Sequence, residues 1–164
     1  MLNKKQIEKI MKFKDVLNIE VEKQQTTVWS SDIYMDGVLL GRYKIILKLY
    51  EESNFKTQLD DFIKIYNVSK MVEIESEFKE RIVEGPMGSI FHHPHVWNNS
   101  FTGETHACFG NIKFGIISLL KDEEYDVLIS ILLEFLKNSF GWIGITQKEM
   151  LEFWEDKEDK VSQL

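Results

Sequence analysis

Only one cysteine, two prolines and four histidines occur in the 164 residues. The lone cysteine, Cys108, excludes an internal disulfide framework and points to a reducing, cytoplasmic setting. No run approaches the roughly 18 consecutive apolar residues that a spanning helix needs. No long apolar stretch follows Met1-Leu2-Asn3-Lys4-Lys5 either, so neither a membrane anchor nor a signal peptide is expected. Positive charge is in deficit: 20 Lys and Arg against 27 Asp and Glu leave a net charge of −7. Such a surface repels phosphate backbones, which argues against nucleic acid as a partner. The acidic runs at 122–124 and 149–159 read as solvated helix faces. Internal repeats, low-complexity tracts and linkers are lacking too. Residues 1–164 therefore read as one domain, and a 43% hydrophobic fraction suffices to bury a core.

Along the chain the hydrophobic period changes twice. Ile7, Ile10, Met11 and Leu17 recur at helical spacing, which predicts an amphipathic helix over 2–17, with Asn3 and Gln6 forming a capping box. From 18 onward the period is two. Strands are expected around Ile19 and Val21, at 26–29, at 42–50 and at 62–68, with a tight turn at Asp36-Gly37. Residues 71–83 read as a strand with a short helix or as a hairpin, and 85–89 as a Gly/Pro turn. The apolar stretch 112–120 is expected to lie under any site built before it. Asp122 should cap a buried helix over 125–136, ended by the segment that begins at Asn138. Thr146 and Glu149 form a second capping box, opening a last helix through Met150, Leu151 and Trp154, with a polar tail beyond 156. Helix, strands, then helices read as an α+β fold: an N-terminal helix, an antiparallel meander of about four strands, a site loop and C-terminal helices.

The site loop is the conspicuous feature. All four histidines and the cysteine lie between positions 92 and 108. A histidine or cysteine taken singly is most often a packed residue, and His92 reads as a bystander. Crowding leaves two chemical readings. His93, His95, His106 and Cys108 offer four ligands for zinc, although the spacing is that of no familiar finger. Alternatively Cys108 is a nucleophile. His106 precedes it by two residues, which in an extended chain puts both side chains on one face, ready for proton transfer. Asn98, Asn99 and Asn111 supply amide donors nearby.

At these residues the sequence resembles the ubiquitin-conjugating enzyme superfamily. That family carries a His-Pro-Asn turn, a glycine in the following loop, and a catalytic cysteine followed by a hydrophobic residue. The counterparts here are His93-Pro94-His95-Val96, Gly103 and Cys108-Phe109. The pattern is most similar to a divergent bacterial and phage branch, with Cys108-Phe109-Gly110-Asn111 matching its second motif. His95 stands where the eukaryotic motif has asparagine, the interval to Cys108 is longer, and the proline-rich stretch after the meander is absent.

The resemblance implies an acyltransferase: a carrier that accepts the C-terminal carboxyl of a ubiquitin-like protein as a thioester on Cys108 from an activating enzyme and passes it to an acceptor. His95 or Asn98 would stabilise the oxyanion and His106 would assist proton transfer. His93, Pro94, Gly103, Gly110 and Asn111 would shape the site. The N-terminal helix would meet the activating enzyme, and no cofactor would be needed. A non-catalytic binding module of the same fold, or a zinc-stabilised module, are the alternative expectations.

Overall fold

Asn3 opens the first helix, α1 (Lys4–Met11), in the computed structural model of the chain, which describes residues 1–51, 58–74, 87–138 and 147–155. The capping box is present: Asn3 Oδ1 accepts the Gln6 amide at 2.8 Å, and Gln6 Oε1 accepts the Asn3 amide at 3.1 Å. The helix is shorter than its periodicity predicts. It ends at Met11, and Val16–Val21 form β1, with Leu17 mostly exposed on that strand. Pairing wins here: Val16 is buried opposite Ser30 of β2 (Gln25–Ser30), a contact that continued helix would forfeit.

The expected meander is found. β1, β2, β5 (Tyr43–Lys48) and β6 (Ile63–Asn67) form a four-stranded antiparallel sheet in that order. Tyr43, Ile45 and Leu47 alternate into the core. Between β2 and β5 the chain inserts a hairpin of β3 (Ile33–Met35) and β4 (Val38–Gly41). Its turn has Asp36 at φ 49° and Gly37 at φ 80°, the positive pair that a two-residue hairpin requires.

A second four-stranded sheet replaces the expected site loop. β7 (Val72–Glu73), β8 (Met87–His93), β9 (Val96–Asn99) and β10 (Thr105–Ala107) pair antiparallel in the order β10-β9-β8-β7. Met87, Gly88 and Ser89 thus belong to a strand rather than a turn, because β9 offers them a ladder. Gly85, Pro86 and most of the ambiguous stretch 71–83 (residues 75–83) lie outside the described residues. β6 packs against β8 and β10, which explains why Ile63, Lys64 and Ile65 are buried in succession.

The apolar stretch after Cys108 is helical. A 3₁₀ turn (Gly110–Ile112) leads into α2 (Lys113–Lys121), which buries Ile116 and Leu120. Asp122 does not cap the next helix. Its amide instead closes α2 on Ser118 O at 3.0 Å, and Glu124 takes the N-cap position of α3 (Tyr125–Lys137). Three residues, Asp122 to Glu124, separate the helices, and an N-cap directly precedes its helix, so Asp122 stands two positions too early to serve the second. α3 buries Tyr125, Leu128, Ile129, Leu132, Leu133, Phe135 and Leu136, as its sequence predicts. α4 (Gln147–Glu155) buries Met150, Leu151 and Trp154 against β4. Thr146 and the tail from 156 lie outside the described residues. One cluster of buried side chains joins both sheets and all four helices of the described residues, and the fold is α+β. Among those residues no helix is long and apolar enough to cross a membrane.

Candidate active site

Cys108 sits where a strand hands over to a helix. Its amide donates to His95 O at 2.9 Å, extending the β9–β10 ladder by one residue. The next residue, Phe109, is buried with its ring centroid 4.9 Å from that of Phe135 in α3. The 3₁₀ turn and α2 follow at once. A buried ladder on one side and an anchored aromatic on the other hold the thiol in place.

The alternation that the sequence predicts is present. Thr105 and Ala107 are buried, whereas His106 and Cys108 are half-exposed and share one cleft. That cleft has a volume of about 690 Å³. Leu59 and Asp60, from a 3₁₀ turn (Leu59–Asp61) just before β6, line it together with His106, Cys108, Gly110 and Lys113. His106 Nδ1 lies 2.7 Å from Asp60 Oδ2. The carboxylate can only accept, so Nδ1 carries the proton, and a neutral ring keeps its lone pair on Nε2. Trp97, directly opposite on β9, packs its ring 5.3 Å from the same imidazole.

The other histidines face inward. His93 is fully buried between two bonds: Nδ1 accepts the His95 amide at 3.0 Å, and Nε2 donates to Leu136 O at 2.8 Å. It stacks on Phe135 at 5.5 Å and meets Tyr43 edge-on at 6.0 Å. Burial, and then the neighbouring His95, lower its pKa to about 3. His95 follows Pro94 in the β8–β9 turn, with its ring 5.9 Å from His93 and 6.0 Å from Phe135, and burial lowers its pKa to about 4. That imidazole lies against α3 and does not line the cleft.

Asn98 is engaged elsewhere too. Its Oδ1 accepts from His92 Nε2 at 2.8 Å, while His92 Nδ1 accepts the Asn67 amide at 3.0 Å. Asn98 follows Trp97 along β9 and so points to the opposite face from His106. His92 is therefore no bystander: it ties β6 to β8 and β9, and burial lowers its pKa. Gly103 has φ 70° in the β9–β10 loop, where its amide donates to Asn99 O at 2.8 Å, so it does turn the loop back. Gly110 has φ 54°, and Asn111 is exposed on the same 3₁₀ turn.

The zinc reading does not fit this arrangement. Both nitrogens of His93 are committed to protein partners, and the His95 ring packs on Phe135 outside the cleft that His106 and Cys108 share. Among the described residues no three His, Cys, Asp or Glu side chains converge on one point.

Two residues escaped the sequence reading. Asp60 carries no motif and lies 46 positions from His106. Asn67, in a strand read for its apolar residues, donates through Nδ2 to Leu40 O at 2.7 Å and His92 O at 3.0 Å, and accepts the Ser69 and Lys70 amides at 2.9 and 2.6 Å. In the sequence it is one polar residue near the end of an expected strand; only the buried setting makes it a junction. Compared with protein-family models, curated proteins and solved structures, the chain matches none.

Proposed function

We propose that the protein is a ubiquitin-conjugating-like carrier, an acyltransferase that holds the C-terminal carboxyl of a ubiquitin-like protein as a thioester on Cys108. One observation carries the reading: Cys108 and His106 share an open cleft, and Asp60 holds the imidazole. The order of elements supports it: a helix, a four-strand antiparallel sheet, the His93-Pro94-His95 turn, the cysteine, then helices. In charging, His106 accepts the thiol proton and the thiolate attacks the thioester carbonyl on the activating enzyme, whose own thiolate leaves and takes that proton. In transfer, an acceptor amine attacks, loses its proton to His106 and displaces Cys108.

In this reading His95 positions Cys108 through its carbonyl, and Asn98 holds His92. Gln58 and Lys113, which line the cleft, supply the hydrogen-bond donors for the oxyanion. α1 is the meeting place for the activating enzyme, in a cytoplasmic setting.

The test is to incubate the full chain with an activating enzyme, ATP and a matched ubiquitin-like protein. An adduct that reductant removes is expected, with Cys108→Ser giving either none or a reductant-resistant ester. No adduct in wild type would leave a non-catalytic binding module as the better reading.

A further inference from the structure

We propose that Cys108, His106 and Asp60 form a self-contained relay that takes acyl groups from small esters and thioesters, without any protein partner, and releases them to water. This rests on the geometry of the cleft and not on the carrier reading. Turnover of small esters and formation of a protein thioester can therefore succeed or fail separately.

Two residues along an extended strand are about 7 Å apart at Cα, with side chains on the same face. A thiol and an imidazole that share a cleft in this way can exchange a proton through one intervening water. Asp60 makes that imidazole useful. By accepting Nδ1–H at 2.7 Å it fixes the tautomer that keeps the lone pair on Nε2. Trp97 restrains the ring from one side. His106 is 39% exposed, so water reaches it, whereas Asp60 is 22% exposed and better shielded.

The cleft suits a small acyl chain. Its volume of about 690 Å³ exceeds what a short ester needs, and Leu59, Ala107 and Phe109 give apolar wall. The Cys108 amide is spent on His95 O and cannot meet an oxyanion, so that role falls to Gln58 and Lys113.

The chemistry balances without a further reagent. The Cys108 thiol proton passes to His106, sulfur bonds to the acyl carbon, and the ester C–O bond breaks. The departing alkoxide takes the proton. Water then attacks the thioester, giving a proton to His106. The C–S bond breaks, the acid leaves, and the thiolate recovers its proton.

The probe is p-nitrophenyl acetate with the full chain, followed by p-nitrophenolate release and by intact and peptide mass. Wild type should acquire one acetyl group on Cys108 and then lose it to water. Cys108→Ser should reduce release to the level of scattered lysine acetylation. His106→Ala should slow acylation of Cys108 by about 100-fold, and so should His106→Gln, which fills the same space without a base, a loss that a packing role would not show. Asp60 is a positioning residue: Asp60→Asn should slow acylation by less than His106→Ala does, and Asp60→Glu should recover most of the rate. If Cys108 in His106→Ala or His106→Gln acylates at the wild-type rate, the relay is overturned. Undiminished release in Cys108→Ser would overturn it as well.

Discussion

The Nδ1 of His106 and the Oδ2 of Asp60 lie 2.7 Å apart, joining β10 to the turn before β6 across 46 positions of chain. The contact exists only once the two sheets have packed, yet it touches solvent on both sides, with side-chain exposures of 39% and 22%. Pairs so exposed add little to stability. A double-mutant cycle with Asp60→Asn and His106→Ala, read by urea unfolding, should give a coupling below about 1 kcal/mol. A larger value would mean that the pair holds the sheets together and that chemical effects of these variants reflect lost structure.

His93 is the opposite case. It is fully buried, both nitrogens are bonded, and its ring stacks on Phe135. His93→Ala strands the Leu136 carbonyl and the His95 amide and leaves a void beside α3. The expected loss is about 3 kcal/mol, or roughly 9 °C in Tm. A melting shift of a degree or less would mean that water or a neighbouring side chain replaces both bonds.

Acid should unfold the protein through these same rings. Burial holds His93 near pKa 3 and His95 near 4, and also lowers His92, against 6.5 when free. Between those values the unfolded chain binds more protons than the folded one, so stability rises with pH across the window. It is fully present above about pH 6.5 and is lost progressively as pH falls toward 4. Urea midpoints at pH 8 and 7 should therefore agree, and those from pH 6 to 4.5 should fall steadily. A flat profile down to pH 4.5 would contradict neutral, buried imidazoles.

Gly88 lets β8 and β9 come close. A Cβ there would stand 2.4 Å from the Asn98 carbonyl oxygen, a backbone atom that cannot swing aside. Gly88→Ala should cost about 2 kcal/mol, near 6 °C in Tm. It should also loosen the His92–Asn98 bond, seen as faster amide exchange at Asn67, whose N–H is held by His92.

Chelation should change nothing. With both nitrogens of His93 engaged by protein partners, the four-ligand set does not assemble. Purified protein should carry well under half an equivalent of zinc, and EDTA should leave Tm unmoved. A lowered Tm in EDTA would restore a structural metal.

The local devices were legible in the sequence because their causes are local. The capping box at Asn3 and Gln6, the Asp36-Gly37 turn, the alternating Tyr43, Ile45 and Leu47, and the all-apolar helix over 125–136 each depend on residues within a turn or two. So did the shared face of His106 and Cys108, since alternation along a strand is fixed by the backbone. Boundaries were less legible. The first helix stops early because Val16 finds Ser30, and Asp122 closes one helix rather than opening the next because Glu123 and Glu124 still stand between it and Tyr125.

The division of labour among the histidines was decided by tertiary structure alone. Sequence crowds His92, His93, His95, His106 and Cys108 together and makes them look like a single site. Packing separates them. The β8–β9 turn presses His93 and His95 into α3, β6 captures His92 through the Asn67 amide, and only His106 and Cys108 reach the cleft. Asp60 arrives from far along the chain, by the packing of β6 on β10, a contact that no local pattern encodes. Spacing along a chain sets which way a side chain points. What it meets there depends on which distant surface the sheet is packed against.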